Sequence, residues 1–296
     1  NMKLDKNLVE RRVDILSAVG VVFVTGVEVG ASYPAEELMR EFDAVVLCGG
    51  ATKPRDLPVE GRELSGIHFA MEYLTQSTKH LLDGHESEPP ISAEDKDVIV
   101  IGGGDTGTDC VGTALRQGCR SLLQFEILPK PPDSRAEDNP WPEWPRILRV
   151  DYGQEEAKSV FGQDPREFSL MTTKFVGDSE GNVQELRTVE VVWVDEKGTL
   201  TPKPRPETEK SHRAQLVFLA LGFLGPENQL LDQMGVARDS RSNVDAAIGS
   251  YTTSLPGVFS AGDMRRGQSL IVWAIREGRG AARECDRFLM GQTDLP

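Results

Sequence analysis

A run of β-branched residues that ends in a glycine-rich turn limits the fold more than any other part of this sequence. Residues 98–107 read VIVIGGGDTG and fit the pattern G-x-G-x-x-G through Gly102, Gly104 and Gly107. In that pattern the first glycine permits a tight turn, the second lets a pyrophosphate approach the backbone, and the third lets the next helix pack closely. A strand pattern at Asp97–Ile101 precedes the turn and a helical pattern at Thr108–Gln117 follows it. We therefore predict the βαβ unit of a dinucleotide-binding domain. The residues expected to line its phosphate site are Gly102, Gly103, Gly104, Asp105, Thr106 and Gly107.

An acidic residue follows this turn at the spacing that a dinucleotide site requires. Glu126 comes about 20 residues after Gly107, near the end of the next predicted strand, Arg120–Leu128. A carboxylate there accepts a hydrogen bond from the ribose 2′-hydroxyl of NAD and would repel the 2′-phosphate of NADP. The sequence thus favours NADH over NADPH. The alternative is that Glu126 only faces solvent.

Three further segments combine a short strand with small residues. They read VVLCGGATKPR at residues 45–55, FLALGFLGP at 218–226 and PGVFSAGD at 256–263. Small residues after a strand let the chain pass close to a nucleotide or to another backbone. The first two segments are equally compatible with an ordinary strand end. In the third, an aspartate next to glycine at the end of the strand suits a carboxylate that accepts a hydroxyl hydrogen bond.

Charge and cysteine content exclude several classes of protein. The formal net charge is −14, and no local basic patch suggests a nucleic-acid partner. The four cysteines form no C-x-x-C pair, which argues against a zinc site, an iron–sulfur cluster and a redox dithiol. We expect reduced, packed thiols and no metal. No apolar run is long enough to cross a membrane, so we expect a cytoplasmic protein.

Three stretches outside the glycine-rich segments also have patterns that predict their structure. The alternating, β-branched run Val21–Val29 predicts a strand, whose open edge would invite self-association as a homodimer. The polar, proline-rich run Leu200–His212 predicts an exposed hairpin loop. Residues 129–152 are rich in proline and contain two tryptophans, which excludes a helix there.

Two longer stretches resemble a known family. Phe125–Ala157 reads FEILPKPPDSRAEDNPWPEWPRILRVDYGQEEA, and Ser260–Arg279 reads SAGDMRRGQSLIVWAIREGR. Both resemble the small (β) subunit of glutamate synthase, the first in its NADH-using branch. The resemblance runs from Met2 to about Gly291.

This resemblance implies an α/β fold of the two-dinucleotide-binding flavoprotein type. A Rossmann-like NAD(P)-binding domain, at 61–223, would be inserted into a partial FAD-binding domain formed by 1–60 and 224–296. The residues implied to line the nicotinamide crevice are Ala220, Leu221 and Gly222. Those implied to contact FAD are Gly49, Gly50, Ala51, Thr52, Gly262, Asp263, Gln268, Ser269 and Leu270.

The resemblance also implies an activity. NAD(P)H would pass a hydride to FAD, and the electrons would reach a large subunit that forms glutamate from 2-oxoglutarate and glutamine. The family's N-terminal iron–sulfur domain and first FAD motif are absent from the sequence, so we expect a C-terminal fragment without a cluster. The alternatives to this function are a related NAD(P)H:flavin or ferredoxin-type reductase, and a nucleotide-binding fragment without catalysis.

Hydride transfer requires no side-chain acid or base. We therefore expect the four histidines to be surface residues rather than catalysts: His68, His80, His85 and His212.

The proline- and tryptophan-rich segment has two interpretations. It could be a rigid flap that packs on its own domain, which we favour. It could instead be a docking surface for the large subunit, with Trp141 and Trp144 as anchors.

Overall fold

The computed structural model describes residues 4–84, 89–143 and 145–296. Two compact units divide the chain: residues 1–53 with 224–296, here the split unit, and residues 54–223, here the inserted unit. The elements up to the first crossing between units are α1 (Lys6–Ala18), α2 (Ala35–Glu41), β1 (Val45–Leu47) and β2 (Lys53–Pro54). Those of the inserted unit are β3 (Ile67–Phe69), α3 (Ala70–Leu82), β4 (Asp97–Ile101), α4 (Asp105–Arg116), β5 (Ser121–Glu126), α5 (Tyr152–Phe161), β6 (Arg166–Phe168), β7 (Leu170–Gly177), β8 (Val183–Glu196), β9 (Thr199–Arg213) and β10 (Leu216–Leu219). The remaining elements are β11 (Phe223–Gly225), at the second crossing, α6 (Asn228–Met234), β12 (Val258–Ser260), α7 (Asp263–Arg266) and α8 (Ile271–Met290).

A five-stranded parallel sheet forms the centre of the inserted unit, in the order β3-β10-β4-β5-β6. Every residue of β4 is buried, as expected for a parallel strand that is covered on both faces. Val98 and Val100 pack among side chains of α3 and α4, whereas Ile99 and Ile101 pack among side chains of β7 and β8. The alternation of a strand therefore places the two halves of this apolar run in two separate cores.

An antiparallel sheet in the order β7-β8-β9 completes the inserted unit. The predicted loop at Leu200–His212 is wrong, because this segment belongs to β9 and pairs with β8. The strand lies at the edge of its sheet, where exposed polar side chains are normal and proline is tolerated with its nitrogen facing outward. Pro202 and Pro204 pair opposite Trp193 and Val191 and have the same parity, so both occupy one side of the strand, whereas Pro206 lies in the irregular stretch between Arg205 and Lys210.

The split unit contains a two-stranded parallel sheet of β1 and β12, flanked by α2, α6, α7 and α8. Its core includes Val45, Leu47, Val258 and Met264. The chain is one continuous helix through α8, and Gly280 lets it pack closely, since a Cβ there would lie 2.3 Å from the ring of Tyr251.

The predicted strand at Val21–Val29 is wrong. In the described part of the chain, this run pairs only at Val29, which forms an isolated bridge with Tyr33. Val22 and Val24 are exposed. Alternating β-branched residues favour an extended backbone, but a strand also requires a neighbouring backbone with which to pair.

Candidate functional site

The glycine turn joins β4 to α4 in the geometry that the spacing predicts. Gly102 has φ of 122°, and a Cβ atom there would lie 2.2 Å from the carbonyl oxygen of Ala220. A Cβ at Gly107 would lie 2.3 Å from the carbonyl oxygen of Gly102. Gly104 has open space where its Cβ would be. The first and third glycines are therefore needed by the protein's own packing, whereas the second leaves room for a ligand.

The N-terminus of α4 provides the binding chemistry of this turn. Gly104 is the N-cap residue and makes no side-chain capping bond, in contrast to Asp151, which caps α5. Asp105, Thr106 and Gly107 form the first turn of the helix. Uncapped N–H groups and the positive end of the helix dipole attract an anion such as a pyrophosphate. The residues present thus fit the phosphates of a dinucleotide.

Glu126, the last residue of β5, turns its carboxylate toward this site. Its Oε2 accepts a hydrogen bond from the N–H of Gly103 at 2.8 Å, and its Oε1 accepts one from Leu128 at 3.0 Å. A Cβ at Gly103 would lie 2.3 Å from Oε2, so a side chain there would displace the carboxylate from this position. The carboxylate lies beside the glycine turn rather than facing solvent alone.

The end of β10 borders the same turn. Ala220 donates its N–H to the carbonyl oxygen of Ile101 at 2.8 Å, and Gly222 has φ of 78°. Leu221 packs against the core between the parallel and antiparallel sheets. Because β4, β5 and β10 are parallel neighbours, their carboxyl ends meet at one edge, where ligands of open α/β sheets bind.

Beneath the turn lie two glutamines that the sequence analysis missed. Gln124 is 0% exposed and Gln154 is 2% exposed. Gln154 Nε2 donates to Gln124 Oε1 at 2.9 Å and to Thr108 Oγ1 at 3.0 Å, and Gln124 Nε2 donates to the Gly102 carbonyl at 2.8 Å. The one sequence signal for this network is a glutamine inside an otherwise apolar strand.

The split unit places the expected flavin-contacting residues in two neighbouring turns. Gly49, Gly50, Ala51 and Thr52 follow β1, and Gly262 and Asp263 follow β12. Since β1 and β12 are parallel, both turns leave the same edge of the sheet. The Gly49 N–H donates to Met264 Sδ at 3.2 Å, which joins the turns directly.

The turn after β12 leads into α8 through exposed residues. Gln268, Ser269 and Leu270 are all exposed, and Ser269 Oγ donates to Asp263 Oδ1 at 3.0 Å. Gly262 has φ of 70°. Gly50, with φ of 79°, has only the Thr52 methyl group, at 4.0 Å, near the position of a Cβ. Small, open residues and a carboxylate at a sheet edge fit part of a flavin nucleotide site.

A buried carboxylate that the sequence analysis missed supports this turn. Glu277 of α8 is 3% exposed and accepts the Gly262 N–H at 3.0 Å. It also accepts hydrogen bonds from Arg265, at 2.5 and 2.9 Å, and from Arg266, at 2.9 Å. Burial raises the pKa of Glu277, but the bonds from the two arginines outweigh it and hold that pKa below its ordinary value.

The proline- and tryptophan-rich segment is ordered by its own hydrogen bonds. Buried Asn139 donates to Glu143 Oε2 at 3.1 Å and accepts the N–H of Arg146 at 2.7 Å. Arg135 donates to the carbonyl oxygens of Asn139 and Glu143, each at 2.9 Å. Trp141 is 83% exposed and so does not pack on its own domain. Trp144 lies outside the described residues.

Among the residues that the structure describes, the histidines and cysteines add no further site. His212 is partly buried, because its Nε2 lies 2.8 Å from Thr188 Oγ1 and its ring contacts Phe125, so the expectation of a surface residue is wrong for it. His85 lies outside the described residues. Cys110 and Cys119 are buried, but Cys48 is exposed, contrary to the expectation of packed thiols. Within the described ranges, no group of three or more His, Cys, Asp or Glu side chains could hold a metal ion, and no helix could span a membrane.

Comparison with known proteins identifies the family. The family model for pyridine nucleotide-disulphide oxidoreductases matches residues 4–278. This chain belongs to the pyridine nucleotide-disulphide oxidoreductase family. The two-dinucleotide-binding flavoprotein fold is thereby confirmed. FAD and NAD(P)H are the cofactors that this family uses.

Relatives within the family include glutamate synthase chains, which confirms that resemblance. The NADPH glutamate synthase small chain of Bacillus subtilis is 53% identical over 298 residues, which cover 100% of this chain and 60% of the relative. The NADH glutamate synthase of Schizosaccharomyces pombe is 51% identical over 100% of this chain and 14% of the relative. This chain thus spans about three-fifths of the B. subtilis small chain, and relatives named for either nucleotide do not decide between NADH and NADPH.

A solved structure supports the same fold. FprA of Mycobacterium tuberculosis, in complex with NADPH, has a TM-score of 0.64 and 17% sequence identity, covering 90% of this chain and 68% of the other.

Proposed function

We propose that this chain carries the electron-input part of a glutamate synthase. The inserted unit would bind NADH and the split unit would contribute to the FAD site. Hydride transfer from NADH to FAD would supply electrons for glutamate formation from 2-oxoglutarate and glutamine. The observation that carries the proposal is the phosphate turn of Gly102, Gly104 and Gly107 with the Glu126 carboxylate 2.8 Å from the Gly103 N–H. The chain is 53% identical to a glutamate synthase small chain, which favours a role in glutamate synthase over a role as another kind of flavin reductase.

The protein's own contribution is binding and orientation. A bound flavin would supply the hydride-accepting and electron-transfer chemistry, so no side-chain acid or base is needed. The α4 N-terminus and the glycine turn would hold the pyrophosphate, and Glu126 would hold the adenosine ribose. Asp263, with Ser269 bonded to it, would contact the flavin nucleotide.

The visible absorbance spectrum, recorded with and without excess FAD, tests the proposal. We expect a flavin band that remains after gel filtration and that bleaches when NADH is added. A chain that binds NADH but stays colourless with FAD would instead be a nucleotide-binding fragment. A chain that binds neither nucleotide would contradict the proposal.

We expect the chain to bind NADH at least about tenfold more tightly than NADPH, because a carboxylate near the 2′-phosphate adds a like-charge repulsion. The Glu126→Gln substitution should reduce this ratio by weakening NADH and strengthening NADPH. Dissociation constants from nicotinamide fluorescence measure both effects. The Glu155→Gln variant is the control, since Glu155 is an exposed carboxylate of the same unit. Equal affinities of the unmodified chain for the two nucleotides would exclude this role of Glu126.

We propose the glutamate synthase large subunit as the protein partner, with Trp141 as one anchor. An exposed tryptophan held on an internally bonded segment suits an interface, where buried tryptophans commonly contribute about 2 kcal/mol or more. Trp141→Ala should therefore weaken association with the large subunit, measured by calorimetry or by light scattering. Leu200→Ala, which truncates another exposed apolar side chain, should have no effect. Unchanged assembly of the Trp141 variant would exclude Trp141 as an anchor for the large subunit.

A further inference from the structure

One peptide bond of the phosphate turn is held from both sides. The carbonyl oxygen of Gly102 accepts a hydrogen bond from Gln124 Nε2 at 2.8 Å. The N–H of Gly103, which belongs to the same peptide, donates to Glu126 Oε2 at 2.8 Å. In a trans peptide the C=O and N–H groups point in opposite directions. By holding the Gly102 carbonyl, the buried side-chain amide of Gln124 therefore determines which way the Gly103 N–H points.

The side chain of Gln124 is itself oriented by Gln154. Gln124 Oε1 accepts a bond from Gln154 Nε2, so Gln124 Nε2 is the group that faces the turn. Gln154 Nε2 also donates to Thr108 Oγ1, and Gln154 Oε1 accepts the N–H of Asp151 at 3.3 Å. Both glutamine side chains are buried, and an unpaired amide there is unfavourable. The amide orientation is thus imposed by a chain of bonds that runs from α5 through β5 to the turn.

We propose that Gln124, oriented by Gln154, is a positioning residue for nucleotide binding. It holds the Gly102–Gly103 peptide with its N–H toward the Glu126 carboxylate and the ligand. This inference rests on the proposed function, because it assumes that the turn binds NADH. A glycine peptide without this restraint can rotate, and rotation would direct a carbonyl oxygen at both the Glu126 carboxylate and the nucleotide phosphates. Like partial charges would then oppose binding.

A double-mutant cycle tests the proposal. The Gln124→Met variant keeps the length of the side chain but cannot donate to the Gly102 carbonyl. We expect its dissociation constant for NADH to rise about tenfold. In the Glu126→Gln background the same change should raise it by less than about threefold, because both side chains act on one peptide. Gln163→Met, at an exposed glutamine of the same unit, is the matched control.

Hydrogen exchange of the Gly103 amide, measured without nucleotide, supplies the second readout. We expect exchange about tenfold faster in Gln124→Met than in Gln163→Met, whereas amides in strands far from the turn should exchange at the same rate in both variants. If Gln124→Met does not fold, Gln154→Met removes the orienting bond and should show the same changes to a smaller extent. Additive effects of the Gln124 and Glu126 substitutions, or unchanged exchange at Gly103, would overturn the proposal. Absence of NADH binding by the unmodified chain would instead refute the proposed function, and the exchange measurement would still decide the role of Gln124.

Discussion

Replacing Gly102 with alanine is expected to abolish nucleotide binding and to lower the free energy of unfolding by about 3 kcal/mol. Gly102 has φ of 122°, a conformation that L residues with a side chain rarely adopt. An added Cβ would lie 2.2 Å from the carbonyl oxygen of Ala220, which belongs to the backbone after β10. Because backbone on both sides must shift, the turn would lose the geometry that presents its N–H groups to the phosphates.

The Gly104→Ala substitution should affect nucleotide affinity without affecting stability, in contrast to Gly102→Ala in the same turn. Gly104 has φ of −80°, which alanine adopts readily, and its Cβ would meet open space. We therefore expect the free energy of unfolding to change by less than about 0.5 kcal/mol while NADH affinity falls, because the added methyl group would occupy the space proposed for the pyrophosphate. Urea unfolding and NADH titration of both variants provide the measurements. A Gly102→Ala variant as stable as the unmodified chain would show that the turn is less tightly packed than described.

Replacing Glu277 with alanine is expected to lower the free energy of unfolding by about 3–5 kcal/mol. The carboxylate accepts bonds from Arg265, Arg266 and the Gly262 N–H. Removing it leaves the Arg265 guanidinium, whose side chain is 9% exposed, without its buried counter-charge. The turn that leads to Asp263 would lose its restraint at the same time, so FAD affinity should fall with stability.

Acid pH should remove the same contribution from the unmodified chain. The two arginines hold the pKa of Glu277 below its ordinary value, although burial alone would raise it. Stability from this group is therefore fully present above the unfolded pKa, about 4.3, and is lost as the pH falls through the lower pKa of the folded state. The stability difference between the unmodified chain and Glu277→Gln should accordingly shrink in that acid range.

A surface pair provides the control for Glu277. Glu37 and Arg40 of α2 are 3.8 Å apart with well-exposed side chains. Glu37→Gln should change stability by less than about 1 kcal/mol, because solvent screens such pairs. If Glu277→Ala and Glu37→Gln had equal effects, or if the Glu277→Gln difference were constant with pH, the buried cluster would not be a significant source of stability.

Local sequence patterns predicted the secondary structure of some segments correctly and that of others wrongly, and both wrong predictions have the same cause. The strand Asp97–Ile101 and the glycine turn have strong local signatures, and both occur as expected. The predictions were wrong for two extended segments. Val21–Val29 was predicted to be a strand, but it pairs only at Val29. Leu200–His212 was predicted to be a loop, but it belongs to strand β9. Whether an extended segment becomes a strand depends on the backbone beside it, which may be distant in sequence.

The sequence by itself determined the positions of the glycine turn, the helix that follows it and the acidic residue at the end of the next strand. These features depend on steric limits of single residues and on spacing along one βαβ unit, so they can be read locally. Only the tertiary structure decided that Gln124 bonds the Gly102 carbonyl and that Glu277 holds Arg265, Arg266 and Gly262. A buried polar group must form its hydrogen bonds within the protein, because it is shielded from water. Its partners therefore come from whichever elements pack around it, and these can be distant in sequence.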